Sequence, residues 1–112
     1  MDEPGWPAEW QRSMIEFAIL ATIDAGETYG YLIANRLRDA GFGTIQGGTL
    51  YQILRRLESA GLVATEWREG SGGPGRKYYS MTPCGRSRVD QLRDQWREFS
   101  TTMSAIVNAE GS

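Results

Sequence analysis

Four stretches of the chain space their apolar residues as helices do, and two short stretches alternate as strands do. From Ala8 to Asp24 the apolar positions are Trp10, Met14, Ile15, Phe17, Ala18, Ile19, Leu20, Ala21 and Ile23. They cover more than one stripe, so this first helix needs neighbours on two sides. It lies at the centre of the fold, or one face meets another subunit. Asp24-Ala25-Gly26 breaks the pattern. Thr28 is placed to cap a second helix from about Tyr29 to Ala40, with Tyr29, Leu32, Ile33, Leu37 and Ala40 turned inward. Gly41 and Gly43 end it, with Phe42 between them as a core anchor. After the connector Thr44-Ile45-Gln46-Gly47-Gly48, the residues Leu50, Ile53, Leu54 and Leu57 form one stripe of a third helix, about Gly48 to Ala60. Gln52, Arg55, Arg56 and Ser59 fall on its other side, and Gly61 occupies the position where a left-handed residue stops a helix.

Residues 62–68, LVATEWR, and 76–81, RKYYSM, alternate and hold β-branched and aromatic residues. The loop between them, Glu69-Gly70-Ser71-Gly72-Gly73-Pro74-Gly75, suits the tip of a long hairpin, made basic by Arg68, Arg76 and Lys77. It lacks the GxxxxGK[ST] spacing of a nucleotide loop and joins two strands rather than opening a helix. Thr82-Pro83 pairs a capping residue with proline at the first helical position. The last helix then carries Val89, Leu92, Trp96, Phe99, Met103 and Ile106 at alternating steps of three and four, a narrow heptad seam. Such a seam folds back on the first helix or pairs with a partner. Its length of about 25 residues exceeds what a small core covers, which favours pairing. The expected fold class is mainly α (α+β): a winged helix-turn-helix with a two-stranded wing and a long C-terminal dimerisation helix. Residues 1–8, with Pro4, Gly5 and Pro7, read as a mobile arm, 9–82 as the winged helix-turn-helix and 83–112 as the dimerisation helix.

Composition narrows the function more than the fold. The chain has 112 residues, 40% hydrophobic and 23% charged, which fits one globular domain. No apolar run approaches a membrane span, and the acidic, proline-interrupted N-terminus is no targeting peptide, so a cytoplasmic protein is expected. There is no histidine and a single cysteine, Cys84. Imidazole chemistry, a disulfide within the chain and a cysteine-based metal site are thereby excluded, and neither an enzyme nor a cofactor is expected. The net charge of −2 hides a division. Residues 1–27 hold one Arg against six acids, residues 28–88 nine Lys/Arg against four acids, and residues 89–112 two Arg against four acids. A basic middle between acidic ends is the electrostatic footprint of a nucleic-acid binder.

Several strings in this order resemble the PadR family of bacterial transcriptional regulators, in particular its short members with a single C-terminal helix. They are Tyr29-Gly30-Tyr31-Leu32-Ile33, GGTLYQILRRLESAGLV over 47–63, and GGPGRKYYSMTPCGR over 72–86. The resemblance covers about residues 12–98 and implies a homodimeric repressor, paired through the last helix and the partner's first helix. It carries Thr49, Tyr51, Gln52, Arg55 and Arg56 over as the recognition-helix block, and Arg76 and Lys77 as the wing. Family members usually have proline where this chain has Gln52, which bears on sequence preference.

The candidate DNA contacts are those seven residues and Gln46 in the connector. Thr49 and Gln52 are candidates for base edges, Arg55 for a base or phosphate, and Arg56, at the margin of the apolar stripe, for a phosphate. Tyr51 is either a core-edge residue or a DNA contact. The dimer seam is Val89, Leu92, Trp96, Phe99, Met103 and Ile106. Trp10, Met14, Phe17, Trp96 and Phe99 form an aromatic and thioether-rich surface, read as packed dimer core or as a site for a planar aromatic effector. In some multidrug-sensing family members a tryptophan of the last helix lines an interface pore, and Trp96 is placed equivalently. Cys84 reads as a small buried residue or a redox-sensing thiol. The expected function is a DNA-binding repressor released by a ligand at the dimer interface. The competing reading is a winged-helix adaptor without ligand sensing.

Overall fold

A computed structural model describes residues 3–70 and 73–109 of the chain. Ser71 and Gly72 of the expected hairpin tip lie outside the described residues, as do residues 1–2 and 110–112. The elements in order are α1 (Ala8–Asp24), β1 (Thr28–Tyr29), α2 (Gly30–Leu37), α3 (Gly47–Ser59), β2 (Val63–Arg68), β3 (Arg76–Met81) and α4 (Pro83–Val107). The expectation of a mainly helical winged helix-turn-helix is borne out. The core draws Ile15, Ile19, Leu20 and Ile23 from α1, Ile33 and Leu37 from α2, and Leu50, Ile53, Leu54 and Leu57 from α3. Val63, Tyr79 and Val89 close it. α1 is the central layer, packed against α2, β3 and α4, which explains its broad apolar circumference.

Three local expectations need correction. Thr28 does not cap a helix. Thr28 and Tyr29 pair with Tyr79 and Tyr78 of β3, so the β2–β3 hairpin gains a third strand in the order β1-β3-β2. Thr28 is buried there, and a two-residue strand is too short to show a period of its own. The second helix, Gly30–Leu37, also begins later and ends earlier than expected. After Leu37 the backbone widens into a π-type turn, Arg38–Phe42, with Gly41 at φ 115°. Ala40 is exposed and Leu32 half-buried, so neither belongs to the inner stripe. Lastly, Cys84 is exposed rather than buried.

The ends of α3 and the start of α4 form as their residues dictate. Gly61, at φ 76°, donates to the Glu58 carbonyl at 3.0 Å, and Leu62 donates to the Leu57 carbonyl at 3.0 Å. These two bonds make a Schellman stop. Thr82 caps α4 by accepting from the Gly85 amide at 3.0 Å, while its hydroxyl donates to the Gly61 carbonyl at 2.7 Å. One threonine therefore joins the end of α3 to the root of α4. Gly85 has no room for a side chain, because a Cβ there would overlap the Leu62 carbonyl. Beyond this root α4 projects from the body. The radius of gyration is 16.2 Å, against about 13 Å for a compact chain of this length. Among the described residues no helix is long and apolar enough to cross a membrane.

Candidate functional site

Burial of the Leu50, Ile53, Leu54 and Leu57 stripe leaves α3 one outward face, on which Thr49, Gln52 and Arg55 are exposed. Gln46 precedes the helix in an extended conformation and makes no side-chain cap bond. Among the described residues the first amide donors of α3 thus lack a side-chain partner, an arrangement that suits an anion. Gln46 and Thr49 share a shallow cleft of about 300 Å³ with Pro4 and Arg12. Tyr51 does two things at once. Its hydroxyl sits where a Cβ on Gly30 would stand, so it packs on the first turn of α2, yet its ring stays partly exposed.

Four cations from α3 and the wing were candidates, and the structure separates them into two pairs. Arg56 turns back toward α1, donating from Nε and Nη2 to Glu16 Oε1 at 3.0 and 2.6 Å. Lys77 donates to Glu58 Oε1 at 3.1 Å, and Thr65 donates to Glu58 Oε2 at 2.8 Å, so one carboxylate of α3 holds both long wing strands. The Thr65 bond, then the Lys77 bond and charge, hold Glu58 below the usual carboxylate range against a smaller opposing effect of burial. Arg55 and Arg76, by contrast, make no ion pair among the described residues. The Arg76 guanidinium lies 4.1 Å from the centre of the Tyr29 ring. Arg68, expected to add to the basic tip, is instead neutralised locally. It meets Glu27 through two bonds of 2.7 Å and Glu66 through one of 3.0 Å, and it lies over Tyr78. Those acids raise its pKa further, and its bond to Glu66 lowers that carboxyl.

Between α3 and the wing lies a cleft of about 820 Å³. It gathers Tyr51, Arg55, Arg76 and Lys77, and leaves out Gln46, Thr49, Gln52 and Arg56. Two of its aromatic walls were missed from sequence, Tyr31 and Trp67, which are 71% and 69% exposed. Each had a signal. Tyr31 falls off the buried stripe of Gly30, Ile33 and Leu37. Trp67 shares the strand face of Val63 and Thr65 but lies past the point where α3 covers it, opposite Lys77 in the register. Tyr79 forms the floor, where burial first, and then the neighbouring Tyr51 and Glu58, push its hydroxyl pKa up.

A second cleft, apolar and of about 470 Å³, opens between α1 and α4. Trp10, Met14, Phe17 and Trp96 line it together with Trp6 and Phe42, which sequence reading had not placed there. Trp6 packs edge-on against Phe42 at 5.5 Å, and its indole donates to Gln11 Oε1 at 3.0 Å. Phe99 lies outside the cleft, against Trp96 at 6.3 Å. Within the seam, Val89 has no exposed surface and belongs to the chain's own core, and Leu92 is half-buried against it. Trp96, Phe99, Met103 and Ile106 are uncovered, with exposures from 40% at Met103 to 65% at Ile106.

Comparison with known proteins agrees with this arrangement. The family model described as "Transcriptional regulator PadR-like family" matches residues 19–91. A transcriptional regulator of Mycobacterium tuberculosis is 33% identical over 92 residues, spanning 82% of this chain and 84% of that protein. Among solved structures, a PadR family regulator from Eggerthella lenta superposes with a TM-score of 0.80 at 32% identity, covering 92% of this chain and 89% of that one. A PadR-like regulator from Bacillus cereus gives 0.83 at 29% identity, covering 91% and 99%. With an outward α3 face, a wing beside it and relatives that are regulators rather than enzymes, the chain belongs to the PadR-like family of transcriptional regulators and is a DNA-binding regulator.

Proposed function

We propose that the chain acts as a homodimeric repressor, working in the cytoplasm, in which residues 9–82 read DNA and residues 83–112 pair the subunits. The observation that carries the reading-head assignment is the α3–wing cleft, which Arg55 and Arg76 line with no acid paired to either among the described residues. α3 enters the major groove with Thr49 and Gln52 toward base edges and Arg55 toward a base or phosphate. Gln46 and the uncapped start of α3 lie against phosphate. Arg76 and the wing follow the adjacent backbone, adding affinity but little sequence information. Tyr51 stands at the edge of this surface. Replacing Arg55 and Arg76 by alanine is expected to weaken operator binding by about 1–3 kcal/mol per lost contact and to flatten its salt dependence by about 0.9 per lost phosphate contact. Unchanged affinity and slope in a gel-shift or anisotropy titration would remove these residues from the interface.

The uncovered seam of Trp96, Phe99, Met103 and Ile106, with Leu92 at its edge, supports pairing with a second copy. A two-fold dimer then reads two half-sites about one helical turn apart, roughly 34 Å. The apolar cleft of Trp10, Met14, Phe17 and Trp96 supports a planar aromatic effector that releases the repressor. Phe99 would touch such a ligand only through Trp96. Titrating planar aromatic compounds while recording tryptophan fluorescence tests this, and absence of quenching across such compounds would leave a packed dimer interface in its place.

A further inference from the structure

Two of the four cations on the reading head are already engaged by acids of the same subunit. We propose that Glu16 and Glu58 are specificity-determining residues. They mask Arg56 and Lys77 from phosphate, so that sequence-independent attraction to DNA is held to the cations left open, Arg55 and Arg76. The inference rests on the interface proposed above. It assigns a role to two acids through the cations they hold.

The geometry of each mask is that of a contact open to competition. Arg56 places both of its bonds on a single oxygen, Glu16 Oε1, rather than forming the two-oxygen fork that an arginine makes in its strongest carboxylate pairs. Its side chain is 58% exposed, so water and a phosphate can reach the same guanidinium. Exposed pairs of this kind contribute little to stability, about 0–1 kcal/mol, which a phosphate in a matching position can replace. Lys77 is less exposed and its acid is shared. Glu58 holds Thr65 as well, so releasing Lys77 leaves the carboxylate one hydroxyl donor. Arg68 differs in kind. Its two-oxygen fork with Glu27, reinforced by Glu66, holds the wing rather than masking a contact.

The physical consequence follows from counterion release. Each phosphate neutralised by Lys or Arg adds about 0.9 to the slope of log affinity against log salt. A cation bound to an internal acid adds less, because DNA must displace the acid first. The Glu16→Gln and Glu58→Gln variants keep the size and hydrogen-bonding capacity of the side chain and remove its charge. On a labelled duplex of unrelated sequence, each is expected to bind roughly two- to five-fold more tightly at low salt, the range set by an exposed ion pair. Each should also steepen the salt slope by up to ~0.9. The paired variants E16Q/R56A and E58Q/K77A should return to the wild-type slope. Glu98→Gln on α4, which changes the net charge equally but lies away from the reading head, should leave affinity and slope as they were.

If E16Q and E58Q bind unrelated DNA no more tightly than wild type, or if E98Q gives the same gain, the masking role is refuted. Persistence of the gain in E16Q/R56A and E58Q/K77A would refute it too. Should E58Q loosen the wing, seen as a lower melting temperature, E16Q decides, since its pair joins two helices and touches no strand. Arg76→Ala, which removes the cation assigned to backbone phosphate, is run beside them and reads the interface alone. If it leaves the slope unchanged, the interface assignment falls and this inference with it. If it flattens the slope while E16Q and E58Q fail to steepen it, only the masking inference falls.

Discussion

The apolar stripes of α3 and α4 follow nearly the same spacing but meet opposite fates. Every member of the α3 stripe, Leu50, Ile53, Leu54 and Leu57, is 5% exposed or less. The α4 seam is buried only at its root, at Val89 and half-way at Leu92, and beyond that it is bare. The difference lies in what the rest of the chain can cover. α3 packs on β2 and α2 and is short enough for them and the rest of the core to close over its stripe. α4 has 25 residues, about 37 Å, against 17 residues and about 26 Å for α1, its main neighbour. Spacing tells which face of a helix needs cover. Whether the subunit supplies that cover is decided by length and topology.

The largest expected effect breaks the comparison on the α3 side. Leu54→Ala removes a fully buried side chain from the centre of the core and should cost about 2–5 kcal/mol in a urea or thermal unfolding curve. Gly85→Ala comes next, at the root of α4. The added methyl group meets the Leu62 carbonyl, and since backbone rather than a flexible side chain must move, a loss of about 1–3 kcal/mol is expected. If G85A proved neutral, the junction made by Thr82, Gly61 and Leu62 would be looser than its hydrogen bonds imply.

On the α4 side the sign of the comparison changes. Ile106→Asp puts a charge into the uncovered seam, so the fold of the single subunit should stand while the dimer weakens. Sedimentation should show monomer, and the melting temperature should lose its dependence on protein concentration. A concentration-independent fall in stability as large as that of Leu54→Ala would mean that the seam is covered by its own subunit, and the contrast between the two helices would disappear.

The same contrast separates what could be read in the sequence from what could not. The bounds of α1, the Gly61 stop, the hairpin and the Thr82–Pro83 start were legible because each depends on neighbours within a few residues. β1 was not, since two residues carry no periodicity and their strand character comes from pairing with Tyr78 and Tyr79 some fifty positions later. Nor were the partners of the cations. Glu16 is 40 positions from Arg56 and Glu27 is 41 from Arg68, and no spacing rule joins them. The basic middle of the chain was correctly seen as a composition, but how much of that charge is open to a ligand depends on the fold. Trp67 and Tyr31 were visible only as residues off a stripe, and their place in a cleft required the wing and α3 to be set side by side.

The smallest effect tests how α3 is tied to the wing, where its polar face meets the strands through charge. Glu58 is held below its ordinary value of about 4.5 by Thr65 and Lys77. A carboxyl with a depressed folded-state pKa contributes stability that is fully present above its unfolded value and is lost as pH falls through the folded one. Stability should therefore decline on the acid side of about pH 4.5, with no contribution from this group to any change toward neutral or alkaline pH. The carboxylate side chain is 38% exposed, so solvent screens the pair and its share should stay below about 1 kcal/mol. Comparing unfolding curves of wild type and Glu58→Gln across the acid range isolates it. The two should differ at neutral pH and converge as pH falls, since protonated Glu58 and the glutamine that replaces it in the variant are both uncharged. Curves that stay parallel down to the lowest pH would mean that the bonds from Thr65 and Lys77 do not depend on the charge of Glu58, and that packing alone holds the wing to α3.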